Sequence, residues 1–323
     1  MAGSLSETVP RRDAGPELTG TYLQRVSESD PVARVRNRGK HLTEFALAPA
    51  VTQNTQMARA APTVASPEIA GHFSEYEQPL NERMRTFLRL EFLYQQMLYN
   101  YELEADWATR AATSSLLEIL AILARGDIRA DVNKELDRQL GFLKGYQSQP
   151  EVDSARLDTL IRTLVTSRTK LQAMGTHFLQ SLNDSAFLSA IKNRSAIPGG
   201  TCEFDLPEYS HWLRQPFSRR QQDLVNWLSI IQPLCDAIIE LLWLIRESAQ
   251  PMDRLAINGM YQHNMQKDMH CQLLRVLLPA GSPLFPEISG SQHRFTVRFL
   301  EWSTIERRAV QSTHDVSFKI SIC

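Results

Sequence analysis

Arginine is the residue type whose placement could do chemistry in this chain. In EQPLNERMRTFLRLEFL, Arg85 and Arg89 stand at i and i+4, one helical turn apart and on one face. In RFTVRFL, alternation sets Phe295, Val297 and Phe299 on one side of a strand and Arg294, Thr296 and Arg298 on the other. In VSFKISI, Val316, Phe318, Ile320 and Ile322 share an apolar side and Lys319 faces away. A small sheet made of these strands is expected to carry an apolar back and a front holding Arg294, Arg298 and Lys319. Arg125 ends one helical pattern, and Lys192 and Arg194 end another. Guanidinium groups take carboxylates and phosphates through charge-assisted, often bidentate hydrogen bonds, so these positions are candidates for an anion-binding face. The same residues also suit ordinary solvated surface, and cations at helix C-termini complement the helix dipole.

Other chemistry finds no residues to carry it. The chain has no GxxxxGK[ST], no GxGxxG after a strand, no HExxH and no GxSxG. Gly199–Gly200 follows Pro198 as a tight turn, without the helix N-terminus that would bind phosphate. The best metal candidates are His263, His270, Cys271 and His293. His270 and Cys271 are adjacent, so on a strand they point to opposite faces, and no metal or other cofactor is expected. Cys271 reads as a small core residue, and Cys235, within LCDAIIELLWLI, as a buried and inert thiol. The four cysteines, Cys202, Cys235, Cys271 and Cys323, lie far apart, which excludes a disulfide scaffold and suits a reducing cytoplasm.

The elements that must position the arginines follow from pattern. Residues 1–72 are rich in Ala, Pro, Ser, Thr and Gly, show no sustained period and read as a disordered tail. Their basic cluster, Arg34, Arg36, Arg38 and Lys40, is the one feature there that would suit nucleic acid. The alternative function, nucleic-acid binding through this cluster and the sheet arginines, is disfavoured because the surroundings are nearly neutral. Pro79 and Asn81 are start signals for a first helix, whose stripe is Met84, Phe87, Leu88, Tyr94, Met97, Leu98 and Tyr101. That stripe serves either a core or a subunit interface, and burial preference favours the core. Further helical patterns cover 107–124, 127–147, 153–172, 176–193, 208–213 and 219–248. Ile197–Pro198–Gly199–Gly200 is a breaker. Beyond Ser248 the period shortens, with strand runs Arg254–Tyr261, Cys271–Leu278, Arg294–Leu300 and Val316–Ile322. Thr201–Leu206 alternates too and is expected to join the same sheet. The expected class is α+β: a tail over 1–72, a helical bundle over 73–248 and a small, mostly antiparallel β-domain over 249–323.

Composition agrees with this organisation. At 323 residues and 43% apolar, the chain has material for about two domains. Lysine plus arginine (35) nearly balances aspartate plus glutamate (36), so any attraction to a charged partner must be local. The first residues, MAGSLSETVPRRDAG, lack the apolar segment of a signal peptide. The most apolar run, Leu234 to Ile245, is interrupted by Asp236 and Glu240. No segment is expected to span a bilayer.

Five segments, EQPLNERMRTFLRLEFL, RGDIRADVNKELDRQ, IPGGTCEFDLP, NGMYQ, and PEISG with RFTVRF, together and in this order resemble the ZapD (YacF) family. The resemblance runs from about Tyr76 to Cys323. It implies a non-enzymatic cytoplasmic division factor that is recruited to the midcell ring. It further implies a homodimer with one helical and one β-domain per subunit, which binds the C-terminal peptide of the tubulin homologue FtsZ and crosslinks FtsZ filaments. The implied peptide site is a basic pocket between the two domains, and the matching positions are Arg85, Arg89, Arg125, Arg294 and Arg298. In LNDSAFLSAIKNR the family can carry a further basic residue near the position of Ala186, so the resemblance implies a pocket here that is either less basic or leans on Lys192 and Arg194.

Overall fold

In a computed structural model, the chain is described over residues 73–148, 152–265, 271–291 and 293–323. The expected tail, with its Arg34–Lys40 cluster, lies outside these residues, as does His270.

Eight helices are described. They are α1 (Glu82–Asn100), α2 (Asp106–Leu123), α3 (Ile128–Gly145), α4 (Ser154–Ala173), α5 (Gln180–Asn183), α6 (Ala186–Ser195), α7 (Pro207–Leu213) and α8 (Phe217–Glu247). Their starts follow from capping chemistry. The Asn81 side chain accepts from the Met84 amide at 2.8 Å, Asp127 from Ala130 at 3.0 Å and Asp153 from Arg156 at 3.2 Å. The single helix expected over 176–193 is two, because the Ser185 hydroxyl caps a new start by accepting from the Leu188 amide at 3.2 Å. The α1 stripe is core: Met84, Phe87, Tyr94 and Met97 are buried among helical neighbours.

By length and composition α8 is apolar enough to cross a bilayer, which corrects the expectation that no segment is. In this fold it is the central helix. Leu224, Ile231, Leu234, Ile238, Leu241 and Ile245 are all buried against α1, α2, α3 and α4. Cys235 lies among them, and burial, with Asp236 adding to it, pushes its thiol far above the usual range.

The strands are β1 (Phe73–Pro79), β2 (Met252–Ala256), β3 (Met260–Asn264), β4 (Leu273–Pro279), β5 (Leu284–Gly290), β6 (Arg294–Glu301), β7 (Val310–Gln311) and β8 (Val316–Ile322). They form two antiparallel sheets. One has the order β1-β4-β8-β2; the other has β3-β6-β5, with β7 pairing the far end of β6. The inner faces meet in a core of Leu274, Val276, Phe318 and Ile320 from the first sheet and Phe295, Val297 and Phe299 from the second.

Three expectations are corrected here. The single sheet is two, so Lys319 and the pair Arg294 and Arg298 lie on opposite sides of the sandwich. The strand run expected over Arg254–Tyr261 is broken into β2 and β3, one in each sheet, joined by a tight turn. Asn258 (φ 50°) and Gly259 (φ 69°) turn the chain in the left-handed region that a two-residue loop needs. Thr201–Leu206 is not a strand: its amides are spent locally, Cys202 donating to Gly199 and Leu206 to Cys202, each at 3.0 Å. The sheets also reach back beyond the expected β-region, since β1 pairs along its whole length with β4.

Helices and first sheet are joined by two ion-pair networks. Arg246, in the last turn of α8, binds Glu77 of β1 at 2.7 and 2.8 Å and Glu91 of α1 at 2.6 and 2.7 Å. Arg275 of β4 adds Glu75 at 2.7 Å and the Arg246 carbonyl at 3.1 Å. Burial works against the charge on Arg246, but hydrogen bonds and attraction from Glu91 and Glu77 outweigh it and raise its pKa. The second network centres on Glu135 of α3.

Candidate functional site

The start of α1 carries the site. Helical spacing sets Arg85, Leu88, Arg89 and Phe92 along one outward face, while Met84, Phe87 and Leu90 turn inward. That outward face and the antiparallel α2 line a cavity of about 470 Å³ with Pro79, Arg85, Leu88, Arg89, Phe92, Leu93, Glu118 and Ile122 as walls. Leu88, Phe92 and Ile122 give it an apolar floor, and Arg85 and Arg89 are the basic residues of its lining. Arg85 is held by Glu82 at 3.2 Å, an exposed i,i+3 pair. Arg89 is exposed and makes no ion pair or side-chain hydrogen bond among the described residues. Phe92 is 65% exposed, much for a phenylalanine beside a basic pair.

The structure brings the expected Arg85 and Arg89 together in this one cavity. Arg125 lies just past the α2 end, its amide bonded to the carbonyl of the lining residue Ile122 at 3.1 Å. It too makes no ion pair among the described residues. Arg294 opens β6, exposed and unpaired among the described residues, while Phe295, Val297 and Phe299 are buried as alternation predicts. The next residue, Phe295, pairs with Gly290 of β5, where a side chain would meet Leu80, just before α1, at 3.0 Å. Arg298 is four residues further along β6 and is engaged by Glu287 of β5. Lys192 and Arg194 lie in the last turn of α6, away from the cavity walls, and Arg194 pairs with Asp205 at 3.6 Å.

Sequence reasoning missed the residues that make the arginines a pocket. Leu88 was legible only as part of the apolar stripe. Phe92, Glu118 and Ile122 carry no motif, and only the α1–α2 pairing brings them to Arg89. Of the metal candidates, His263 stacks on Tyr261 at 6.3 Å and lies tilted 5.3 Å from the Phe295 ring, and Cys271 is buried in the sandwich core. Among the described residues no three side chains gather to hold a metal.

Comparison with known proteins decides the family. Residues 88–298 match the model of the cell division protein ZapD. The chain belongs to the ZapD family. A ZapD of Methylococcus capsulatus is 40% identical over 248 residues, covering 77% of this chain and 97% of the relative. One of Ralstonia pickettii is 36% identical over 249 residues (77% and 98%), and one of Coxiella burnetii 34% over 249 (77% and 96%). Membership in the ZapD family gives the chain a role in cell division.

Proposed function

We propose that this chain is a non-enzymatic, cytoplasmic division factor that binds the C-terminal peptide of FtsZ and, as a homodimer at the midcell ring, crosslinks FtsZ filaments. The observation that carries the reading is Arg89. It is an exposed guanidinium without an ion-pair partner among the described residues, set over an apolar floor beside Arg85. A carboxylate on a short amphipathic peptide is its natural complement, because charge-assisted bonds supply direction and the floor takes an apolar side chain. Arg125 and Arg294 lie beyond the walls as additional positive charge for steering. Two-fold symmetry supplies two such sites per dimer. Each contact can be weak, since a filament offers many tails and the second contact forms at high effective concentration.

The test is sedimentation of polymerised FtsZ with this protein. The chain should pellet with intact filaments and bundle them, and should stay in solution when the FtsZ C-terminal peptide is deleted. Co-sedimentation that ignores the deletion would overturn the reading.

A further inference from the structure

The cavity between α1 and α2 is not uniformly basic. Glu118 is one of its walls, one helical turn from Ile122 on α2. Its carboxylate meets the Ser114 hydroxyl at 3.4 Å and makes no ion pair among the described residues, although Arg85 and Arg89 line the same space. A pocket shaped only to hold carboxylates gains nothing from an anion in its wall, because like charges a few ångströms apart repel. The arrangement has three parts instead: guanidinium groups on α1, an apolar floor of Leu88, Phe92 and Ile122, and a lone carboxylate on α2.

We infer that Glu118 sets the direction and the specificity of binding. The pocket takes an amphipathic segment whose acidic group meets Arg89, whose apolar side chain rests on Phe92, and whose cation meets Glu118. This rests on the reading in which the occupant is the FtsZ C-terminal peptide. Arg89 attracts acidic segments in general. Glu118 rejects those that place a second acid over α2, and it prevents the peptide from lying in reverse. Discrimination of this kind comes from a repulsive element set beside an attractive one. Glu118 and Phe92 are exposed, so substituting them leaves the helical core in place.

The experiment is a charge cycle read by peptide affinity. The native chain and Glu118→Gln are each titrated with the FtsZ C-terminal peptide and with versions in which each Lys or Arg is changed to Gln. Glu118→Gln should weaken binding of the unaltered peptide by about three- to fivefold, the scale of a partly exposed ion pair. That loss should vanish for the one peptide version that lacks the matching cation. Glu118→Lys should weaken binding further and be rescued by a glutamate at that peptide position. If Arg89→Glu weakens binding by about tenfold or more while Glu118→Gln changes nothing, tightens binding or couples to no peptide cation, the assignment of direction to Glu118 is overturned and the peptide site stands. If the native chain binds no FtsZ peptide, both are overturned.

Discussion

Glu135 of α3 accepts a hydrogen bond from Gln272, the residue that leads into β4, at 3.0 Å. The glutamate side chain is wholly buried, yet it also accepts from Arg83 at 3.0 Å, from Arg138 at 3.0 and 3.1 Å, and from Gln139 at 3.0 Å. Gln272 is held by its backbone as well, its carbonyl accepting from Leu80 at 2.9 Å and its amide donating to Cys323 at 2.6 Å. One carboxylate thus ties the first turn of α1, the bundle and the first sheet. Arg83 is two residues before Arg85, so this clamp fixes the helix end that carries the cavity.

Glu135→Ala should therefore destabilise the protein by about 3–5 kcal/mol, the cost of stranding buried partners of a charge. Burial alone would raise the Glu135 pKa. The hydrogen bond and attraction from Arg138, with the bonds from Gln272 and Gln139, outweigh it and hold the carboxyl below its ordinary value. A folded-state value below the unfolded one means the stabilisation is present above the unfolded pKa and is lost as pH falls through the folded one. Urea midpoints of native protein and Glu135→Gln should differ at neutral pH and converge as the solution is acidified. A constant difference would show that Glu135 acts through packing alone.

Arg246→Met should also destabilise by about 3–5 kcal/mol, since it leaves Glu77 and Glu91 facing each other at the joint without their shared guanidinium. Removing the charges as well, in the triple variant with Glu77→Gln and Glu91→Gln, should restore most of the loss. Thermal unfolding distinguishes the two outcomes. No recovery in the triple variant would mean that the stem of Arg246, and not its charge, matters.

Much of this fold was legible because periodicity and caps acted locally. Asn81 announced α1, and alternation sorted Phe295, Val297 and Phe299 from Arg294 and Arg298. What was not legible depended on partners distant in sequence. β1, with polar Glu75 and Glu77, shows no strand period, and it is a strand because β4 pairs with it and Arg246 and Arg275 neutralise its acids. β5 was hidden by Pro286, which an edge strand tolerates because one side of its backbone needs no partner. The division into two sheets turned on Asn258–Gly259, a two-residue turn signal inside what read as one strand. The same limit applies to the site. Arg85 and Arg89 share a helix face by spacing, but nothing in the sequence brings Glu118 and Ile122 to them.

Gly259 is the position in that turn where a side chain is excluded twice. Its φ is +69°, and a Cβ there would stand 2.4 Å from the Ser312 carbonyl oxygen. Gly281 has a similar φ of +80° with open space around it. Gly281→Ala should cost about 1 kcal/mol, the left-handed penalty alone. Gly259→Ala should cost about 2–3 kcal/mol, because the chain must move away from Ser312 as well. Equal losses on chemical denaturation would show that the close approach relaxes freely.

The last expectation separates the arginines by what already holds them. Arg89 has no ion-pair partner among the described residues, whereas Arg298 is engaged by Glu287. If the FtsZ peptide is bound at this cavity, Arg89→Glu removes a charge-assisted contact worth about 1.5–3 kcal/mol, a loss of roughly ten- to a hundredfold in affinity. Arg298→Glu should do less. The guanidinium it removes is shared with Glu287, and Arg298 is not a wall of the cavity, so its part is limited to long-range attraction. Salt tests the same division. Screening over a Debye length of about 8 Å at 0.15 M ionic strength should weaken the native protein and Arg298→Glu alike. Arg89→Glu, lacking its direct contact, should show a shallower dependence. Affinities for the FtsZ peptide measured across ionic strength, with circular dichroism to confirm that each variant folds, decide the matter. A larger loss from Arg298→Glu than from Arg89→Glu would move the site from the α1–α2 cavity to the outer face of the second sheet.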